Sequence, residues 1–78
     1  MSATVLRRID PSRNMARFYE IDIQPGLFGD VSLTRHWGRI GAGGQSKQHW
    51  FATEMSAGEL ARKLTRQKEH RGYVTPAP

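Results

Sequence analysis

The hydrophobic pattern of the chain changes its period once, near residue 53, and this change limits the folds that the chain can adopt. Before it, four short segments rich in β-branched, aliphatic or aromatic residues are separated by turn-forming residues, as is typical of strands. After it, apolar residues recur at helical spacing, so that one face of a helix is apolar. The sequence therefore predicts the order β-β-β-β-α, with the apolar face of the helix formed by Ala57, Leu60, Ala61 and Leu64.

Short connections separate the four predicted strands, which span residues 4–9, 15–24, 31–40 and 45–53. Residues 10–14 contain proline flanked by Asp and Asn, residues 25–30 contain proline and two glycines, and residues 41–44 contain three glycines. Connections this short favour antiparallel pairing. We therefore predict an α+β fold, an antiparallel sheet of about four strands with one C-terminal helix packed on one face.

The ends of the predicted helix carry capping signals. Ser56 followed by Glu59 matches a capping box, and Gly72 is suited to the left-handed residue that follows a helix. The basic residues of the helix, Lys68 among them, are expected on the face opposite the apolar one. Tyr73 can fold back onto the core, so that residues 1–74 form a single domain and residues 75–78 a short flexible tail.

The composition narrows the function. The net charge is +5, with nine Arg and three Lys, and such a surface attracts polyanions. A chain of 78 residues is too short for a two-lobed enzyme with a deep cleft, so we expect no catalytic activity. The absence of cysteine excludes disulfides and thiolate metal sites, and it favours a cytoplasmic location. No apolar run approaches the length of a membrane span.

Arginine and tryptophan alternate in the predicted third strand. If the apolar residues of strands two and three share a face, the same face carries Arg17, Arg35 and Arg39 around Trp37. Arginine can neutralise phosphate, and an aromatic ring can stack on a base or sugar. Alternatively, Trp37 is a core residue and the arginines pair with nearby carboxylates, for which the candidates are Glu20, Asp22 and Glu54.

Most of the chain, from about residue 15 to residue 73, resembles a WGR domain. The resemblance is carried by Phe-Tyr-Glu-Ile at 18–21, Arg-His-Trp-Gly-Arg-Ile-Gly at 35–41, Gly-Gln-Ser-Lys at 44–47, and a basic helix that ends in Gly-Tyr at 72–73. The resemblance implies an antiparallel sheet with a helix packed on it. In poly(ADP-ribose) polymerases this domain contacts DNA at breaks and passes the signal to a catalytic domain, and bacteria carry it alone or fused to other modules.

The resemblance also implies roles for three residues. Trp37 would pack against the sugar of a terminal nucleotide, Arg39 would help to hold the DNA and neighbouring domains, and Gly38 would let the backbone approach closely. The zinc fingers and the catalytic domain of those polymerases are not in this sequence. ADP-ribosylation is therefore not carried over.

From the residues and the resemblance together, we predict a small stand-alone, non-enzymatic module that binds nucleic acid, DNA rather than RNA, through phosphate and sugar contacts. The alternative is a protein–protein interaction adaptor that uses the same surface, because Trp and Arg are also enriched at protein interfaces. No cofactor or metal is expected, since His36 and His49 could face each other but lack a third ligand. The predicted binding residues are Trp37, Gly38 and Arg39, supported by Arg35, Arg17 and Lys47.

Overall fold

A computed structural model of the chain, which describes residues 2–76, contains one sheet and one long helix. The four strands are antiparallel neighbours in chain order, and the helix follows them. The predicted α+β fold is confirmed. The elements are β1 (Ser2–Asp10), a short 3₁₀ turn (Pro11–Arg13), β2 (Met15–Pro25), β3 (Val31–Arg39), β4 (Gln45–Phe51) and α1 (Glu54–His70).

The pairing of β2 with β3 has the register that the hydrophobic pattern predicts. Ile23 lies opposite Leu33, and Tyr19 lies opposite Trp37. Because side chains alternate between the faces of a sheet, the odd-numbered residues of both strands share the face that α1 covers. The even-numbered residues lie on the other face, which α1 leaves uncovered and which we call the open face.

The hydrophobic core lies between the sheet and α1. Leu6 and Leu33 are fully buried there, and Ile21 is 2% exposed. The predicted apolar face of the helix is confirmed, because two of its members are buried and the other two pack against the core. The buried core residues are Leu6, Tyr19, Ile21, Ile23, Val31, Leu33, Ala57, Leu64 and Tyr73.

The helix begins three residues earlier than the capping signal suggested. Thr53, and not Ser56, is the N-cap, and the Thr53 hydroxyl accepts a hydrogen bond of 3.2 Å from the backbone N–H of Ser56. Ser56 already lies within the first turn of α1, so the predicted capping box with Glu59 is not formed. Both residues are of a type that caps helices, and β4 ends at Phe51, earlier than predicted.

The end of the helix is built as predicted. Gly72 has a φ of 91°, a left-handed conformation that glycine adopts without strain. The backbone N–H groups of Gly72 and Tyr73 donate to the carbonyls of Glu69 and Lys68, each over 3.0 Å, which is the Schellman arrangement. The chain then turns back, so that Tyr73 is buried in the core.

After Tyr73 the chain pairs with the outer edge of the sheet. The backbone of Val74 exchanges two hydrogen bonds of 2.8 Å with Arg7, which satisfies part of the open edge of β1. Thr75 and Pro76 follow without regular structure. Residues 77–78 of the predicted tail, and residue 1, lie outside the described residues, and the flexibility of the tail stays a prediction.

We expect Thr53→Ala to lower the free energy of unfolding by about 1 kcal/mol, because it removes the acceptor of the Ser56 N–H at the start of α1. Ser56→Ala is the matched control. It keeps the cap and places a better helix former inside the first turn, so it should be close to neutral. Urea unfolding of both variants measures the difference, and a larger loss for Ser56→Ala would contradict Thr53 as the cap.

Candidate functional site

Trp37 lies near the C-terminal end of β3, on the face that α1 covers. It is half-buried: one side packs against the core, where its ring centroid is 6.4 Å from that of Tyr19. The other side borders two surface clefts. The two sequence interpretations of Trp37, as a core residue and as a surface residue, therefore each describe one side of the same indole.

The two clefts lie on either side of Trp37 along β3, and Lys68 borders both of them. The first cleft has a volume of about 380 Å³ and lies toward Arg39. The second has a volume of about 280 Å³ and lies toward Arg35. The first is lined by Arg17, Trp37, Gly38, Arg39, Lys68 and Tyr73. The second is lined by Tyr19, Arg35, Trp37, Leu64, Gln67, Lys68 and Arg71.

Five cationic side chains surround the indole, and we call them, with Trp37, the Trp37 cluster: Arg17, Arg35, Arg39, Lys68 and Arg71. Within residues 2–76, none of the five lies within 4.0 Å of a carboxylate oxygen. The alternative in which the arginines pair with carboxylates is therefore wrong for this part of the chain. The register explains why, since Glu20 and Asp22 are even-numbered residues of β2 and lie on the open face.

Arg39 is held in place by the turn that joins β1 to β2. Its two terminal nitrogens donate to Asn14, one to the backbone carbonyl over 3.1 Å and one to the side-chain oxygen over 3.4 Å. Asn14 has a φ of 50°, a left-handed conformation that asparagine tolerates better than most residues. The contact orients the guanidinium while leaving its charge unneutralised.

Two other cations of the Trp37 cluster lie against aromatic rings. The Arg35 guanidinium lies 5.3 Å from the centroid of the Trp37 ring. The Lys68 ammonium lies between two tyrosines, 4.7 Å from the Tyr19 ring and 5.2 Å from the Tyr73 ring. Such contacts attract a cation through the ring quadrupole without cancelling its charge.

The Lys68 ammonium is electrostatically disfavoured where it lies. Burial lowers its pKa below the ordinary value for lysine, and the positive charges of Arg71, Arg35 and Arg17 lower the pKa further. This direction agrees with the geometry of the Trp37 cluster, because its cations line the same two clefts and none of them pairs with a carboxylate in residues 2–76. A negatively charged ligand would relieve this repulsion.

The sequence interpretation missed Lys68 as a site residue and placed it on the outward face of the helix. Lys68 follows Leu64 by four residues, so it continues the apolar stripe that runs through Ala57 and Ala61 onto the sheet. A charged residue at the end of a buried stripe was the signal that could have found it. Arg71 lies one turn beyond, and Tyr73 enters the site only because the chain folds back after Gly72.

The remaining predicted cation, Lys47, lies opposite Arg35 in β4 and on the same face. It is exposed and borders neither cleft, so it extends the positive surface beyond the Trp37 cluster. Burial, with the charges of Arg35 and Lys47, lowers the pKa of the neighbouring His49, which disfavours its charged form.

The two histidines considered as a pair do not face each other. His36 lies opposite Ser46 on the open face, whereas His49 lies opposite Leu33 on the helix-covered face. His36 instead lies 3.5 Å from a Glu20 carboxylate oxygen. Within the described part of the chain, no group of three or more His, Cys, Asp or Glu side chains could hold a metal ion.

The packing on the open face of the sheet leaves no room for a side chain at residue 38, which is why glycine is required there. A Cβ at this position would lie 2.7 Å from the Cα of Gly44 and 3.5 Å from the Phe18 ring. The turn after β3 folds against the backbone there, and the His36 ring nitrogen Nε2 lies 2.6 Å from the Gly43 carbonyl oxygen. This close approach is between two parts of the protein itself, so the role of Gly38 in approaching DNA stays a prediction; its main-chain atoms border the first cleft.

We expect Gly38→Ala to lower the free energy of unfolding by about 1–3 kcal/mol, because the added methyl group overlaps the Gly44 backbone. Gly43→Ala is the matched control, since a Cβ there meets no atom within 4 Å. Thermal unfolding of the two variants tests this, and equal midpoints would show that the turn does not pack as described.

Comparison with known proteins supports the resemblance seen in the sequence. A family model described as the WGR domain matches residues 2–78. The uncharacterized protein y4dW of Sinorhizobium fredii is 54% identical over 68 residues, which is 87% of this chain and 33% of that protein. A crystal structure of a Bacteroides fragilis protein has a TM-score of 0.75 at 26% identity, and the match covers 97% of this chain and 20% of that one.

The chain thus spans about a third of one relative and a fifth of the other. In both, the matching region is a minor part of a longer polypeptide.

Among the residues that the structure describes, no helix is both long enough and apolar enough to cross a membrane.

Proposed function

The chain belongs to the WGR domain family, a family of nucleic-acid-binding modules, and from this premise we propose that it binds DNA through the Trp37 cluster. The observation that carries the proposal is the set of five cations around a half-buried indole with no carboxylate partner in residues 2–76. Charges without partners repel one another, and a phosphate backbone supplies the opposite charge.

The shape of the cluster favours contacts to phosphate and sugar over contacts to base edges. Trp37 borders both clefts, where a sugar or a terminal base pair can pack against its indole. The arginines on both sides can each contact a phosphate in two places.

We propose DNA as the ligand, and not RNA, because the resemblance to poly(ADP-ribose) polymerases implies contacts to DNA breaks. The domain would act by binding, without catalysis or a cofactor. The cytoplasmic location stays a prediction from the cysteine-free composition. An adaptor that docks a partner protein would use the same surface, and titration with DNA distinguishes the two functions.

The affinity for duplex DNA should fall with rising salt on a log–log line, and Arg39→Ala should reduce the slope by about 0.9. At low salt, the same variant should bind about tenfold more weakly, because one charged contact is lost. Its thermal midpoint should change little, since the contacts between Arg39 and Asn14 are exposed.

Fluorescence anisotropy over a salt series, with duplex DNA and duplex RNA of the same sequence, measures these slopes. Arg62→Ala is the control: it removes one charge from a helix position that borders neither cleft. If the wild-type protein fails to bind DNA at low salt, the DNA proposal is wrong and the adaptor remains. Tighter binding to RNA would contradict the choice of DNA.

A second pair of variants tests the ring of Trp37. Trp37→Leu keeps an apolar side chain against the core but removes the flat surface, so we expect affinity to fall by about tenfold. Trp37→Phe retains an aromatic ring and should lose less. Both should remain folded at the assay temperature, as circular dichroism can verify. Wild-type affinity in both variants would show that the ring makes no contact with DNA.

A further inference from the structure

The loop between β2 and β3 presents two large apolar side chains to solvent. Leu27 is 93% exposed and Phe28 is 91% exposed. Trp50, which is 55% exposed, lies at the same end of the sheet, because it pairs with Ser32, the second residue of β3. Single apolar residues on a surface need no explanation, whereas a group of them indicates an interaction surface. We call Leu27, Phe28 and Trp50 the apolar tip.

Hydrogen bonds and packing close the loop that carries the apolar tip. The backbone N–H of Gly26 donates to the Asp30 carbonyl over 2.8 Å, and the Phe28 N–H donates to the Asp30 carboxylate over 3.4 Å. The Trp50 ring packs against residue 26, where an added Cβ would lie 3.0 Å from a ring carbon. The exposed pair is therefore presented by an ordered loop, which lowers the entropy lost when a partner binds.

Two carboxylates near the apolar tip have no ion-pair partner. Asp30 lies in the loop itself, and Asp22 lies on the open face, about 12 Å from Trp50 by the usual spacing and rise of strands. Within residues 2–76, neither lies within 4.0 Å of a cationic nitrogen. Among the described strand positions of the open face, the one Lys or Arg is Arg7, opposite Phe18 near the other end of β2. The surface around the tip is therefore acidic, in contrast to the Trp37 cluster.

We propose that the apolar tip docks a short segment of a partner protein in which large apolar side chains stand beside Lys or Arg. The apolar side chains of the segment pack on Leu27, Phe28 and Trp50, which removes exposed apolar surface from water. Its basic side chains pair with Asp22 and Asp30, which supplies the charge that these carboxylates lack within the described chain.

The size and charge of the tip favour a short segment over a second copy of this chain. Three side chains with these exposures present roughly 400–500 Å². A stable contact between two proteins covers about 800 Å² on each partner, which is more than the tip offers. A contact between the tips of two copies would also bring the carboxylates of both together, and like charges repel. The same carboxylates disfavour an anionic lipid surface.

The apolar tip and the Trp37 cluster are far enough apart to be occupied together. Trp50 lies on the open face, whereas Trp37 lies on the helix-covered face, about 17 Å further along β3 than Ser32, the neighbour of Trp50. Docking at the tip therefore goes beyond the proposed DNA binding and does not depend on it. A domain with both surfaces can bind DNA and a protein segment at the same time.

Selection from a random peptide library displayed on phage, against the immobilised protein, tests the proposal. We expect the enriched peptides to combine apolar residues with Lys or Arg, and the double variant Leu27→Ser/Phe28→Ser to bind them about tenfold more weakly. Both side chains are almost fully exposed, so this variant should keep the wild-type thermal midpoint. Ile9→Ser is the matched control, because it removes an exposed apolar side chain from the open face at the other end of the sheet.

A synthetic copy of an enriched peptide locates the contact. On its addition, the indole N–H resonance of Trp50 should shift and that of Trp37 should not. Asp22→Asn removes a charge and keeps an oxygen that can accept from Gln24, so it should weaken peptide binding by about threefold at low salt. The difference should disappear at high salt, because exposed charges are screened. Fluorescence anisotropy of the labelled peptide measures both effects.

The proposal is overturned if no enriched peptide distinguishes the wild-type protein from the double variant, or if the enriched peptides are acidic. Shifts of the Phe28 signals with protein concentration alone would assign the tip to a second copy. Binding to vesicles that contain phosphatidylserine, lost in the double variant, would assign it to lipid, and either result overturns the proposal. The double variant should bind duplex DNA as the wild type does, and Arg39→Ala should bind the peptide as the wild type does, so the two proposals can fail separately.

Discussion

The antiparallel pairing of β2 with β3 is the constraint on which both the core and the candidate site depend. Ile23 opposite Leu33 places the apolar ends of the two strands under α1. Because strand side chains repeat every two residues, the same register must bring Arg17 opposite Arg39 on that face. A slip by one residue would expose the core and turn the arginines to the open face. The site is therefore a consequence of the register that the core requires.

The helix determines where the core ends and the site begins. Its apolar stripe covers the sheet as far as Leu64, and the next position of the stripe is Lys68. Beyond Leu64, the helix-covered face of the sheet is lined by cationic side chains and clefts, and no longer by leucines. At this end, the Tyr19 hydroxyl has no hydrogen-bond partner among the described residues, and burial and nearby positive charges lower the pKa of Lys68, which disfavours its charged form. Unfavourable electrostatics of this kind occur at binding sites, where a ligand offsets the cost.

Features of the fold that depend on local sequence could be predicted, and features that depend on distant residues could not. The strands, the register and Gly72 follow from period and turn chemistry, which the sequence displays directly. The helix start was misplaced by three residues because Thr53 and Ser56 are both capping types and only their position after β4 separates them. The sequence predicts Lys68 on the solvent-facing side of the helix because most charged helix residues lie on that side. The sequence does not predict which cations lack a carboxylate partner or where clefts form, because both depend on how distant residues are placed in the fold.

The alternation of strand side chains also explains why three consecutive residues with different properties form one motif. Trp37 and Arg39 point to the helix-covered face, while the position between them points to the open face. There, Gly44 and the Phe18 ring approach the backbone so closely that a side chain at residue 38 has no room. Gly38 therefore serves the packing of the turn behind the site, and its two neighbours line the site itself. The triplet therefore combines a packing requirement on the open face with the proposed binding surface on the helix-covered face, and we expect a substitution at Gly38 to disturb that surface through the packing of the turn.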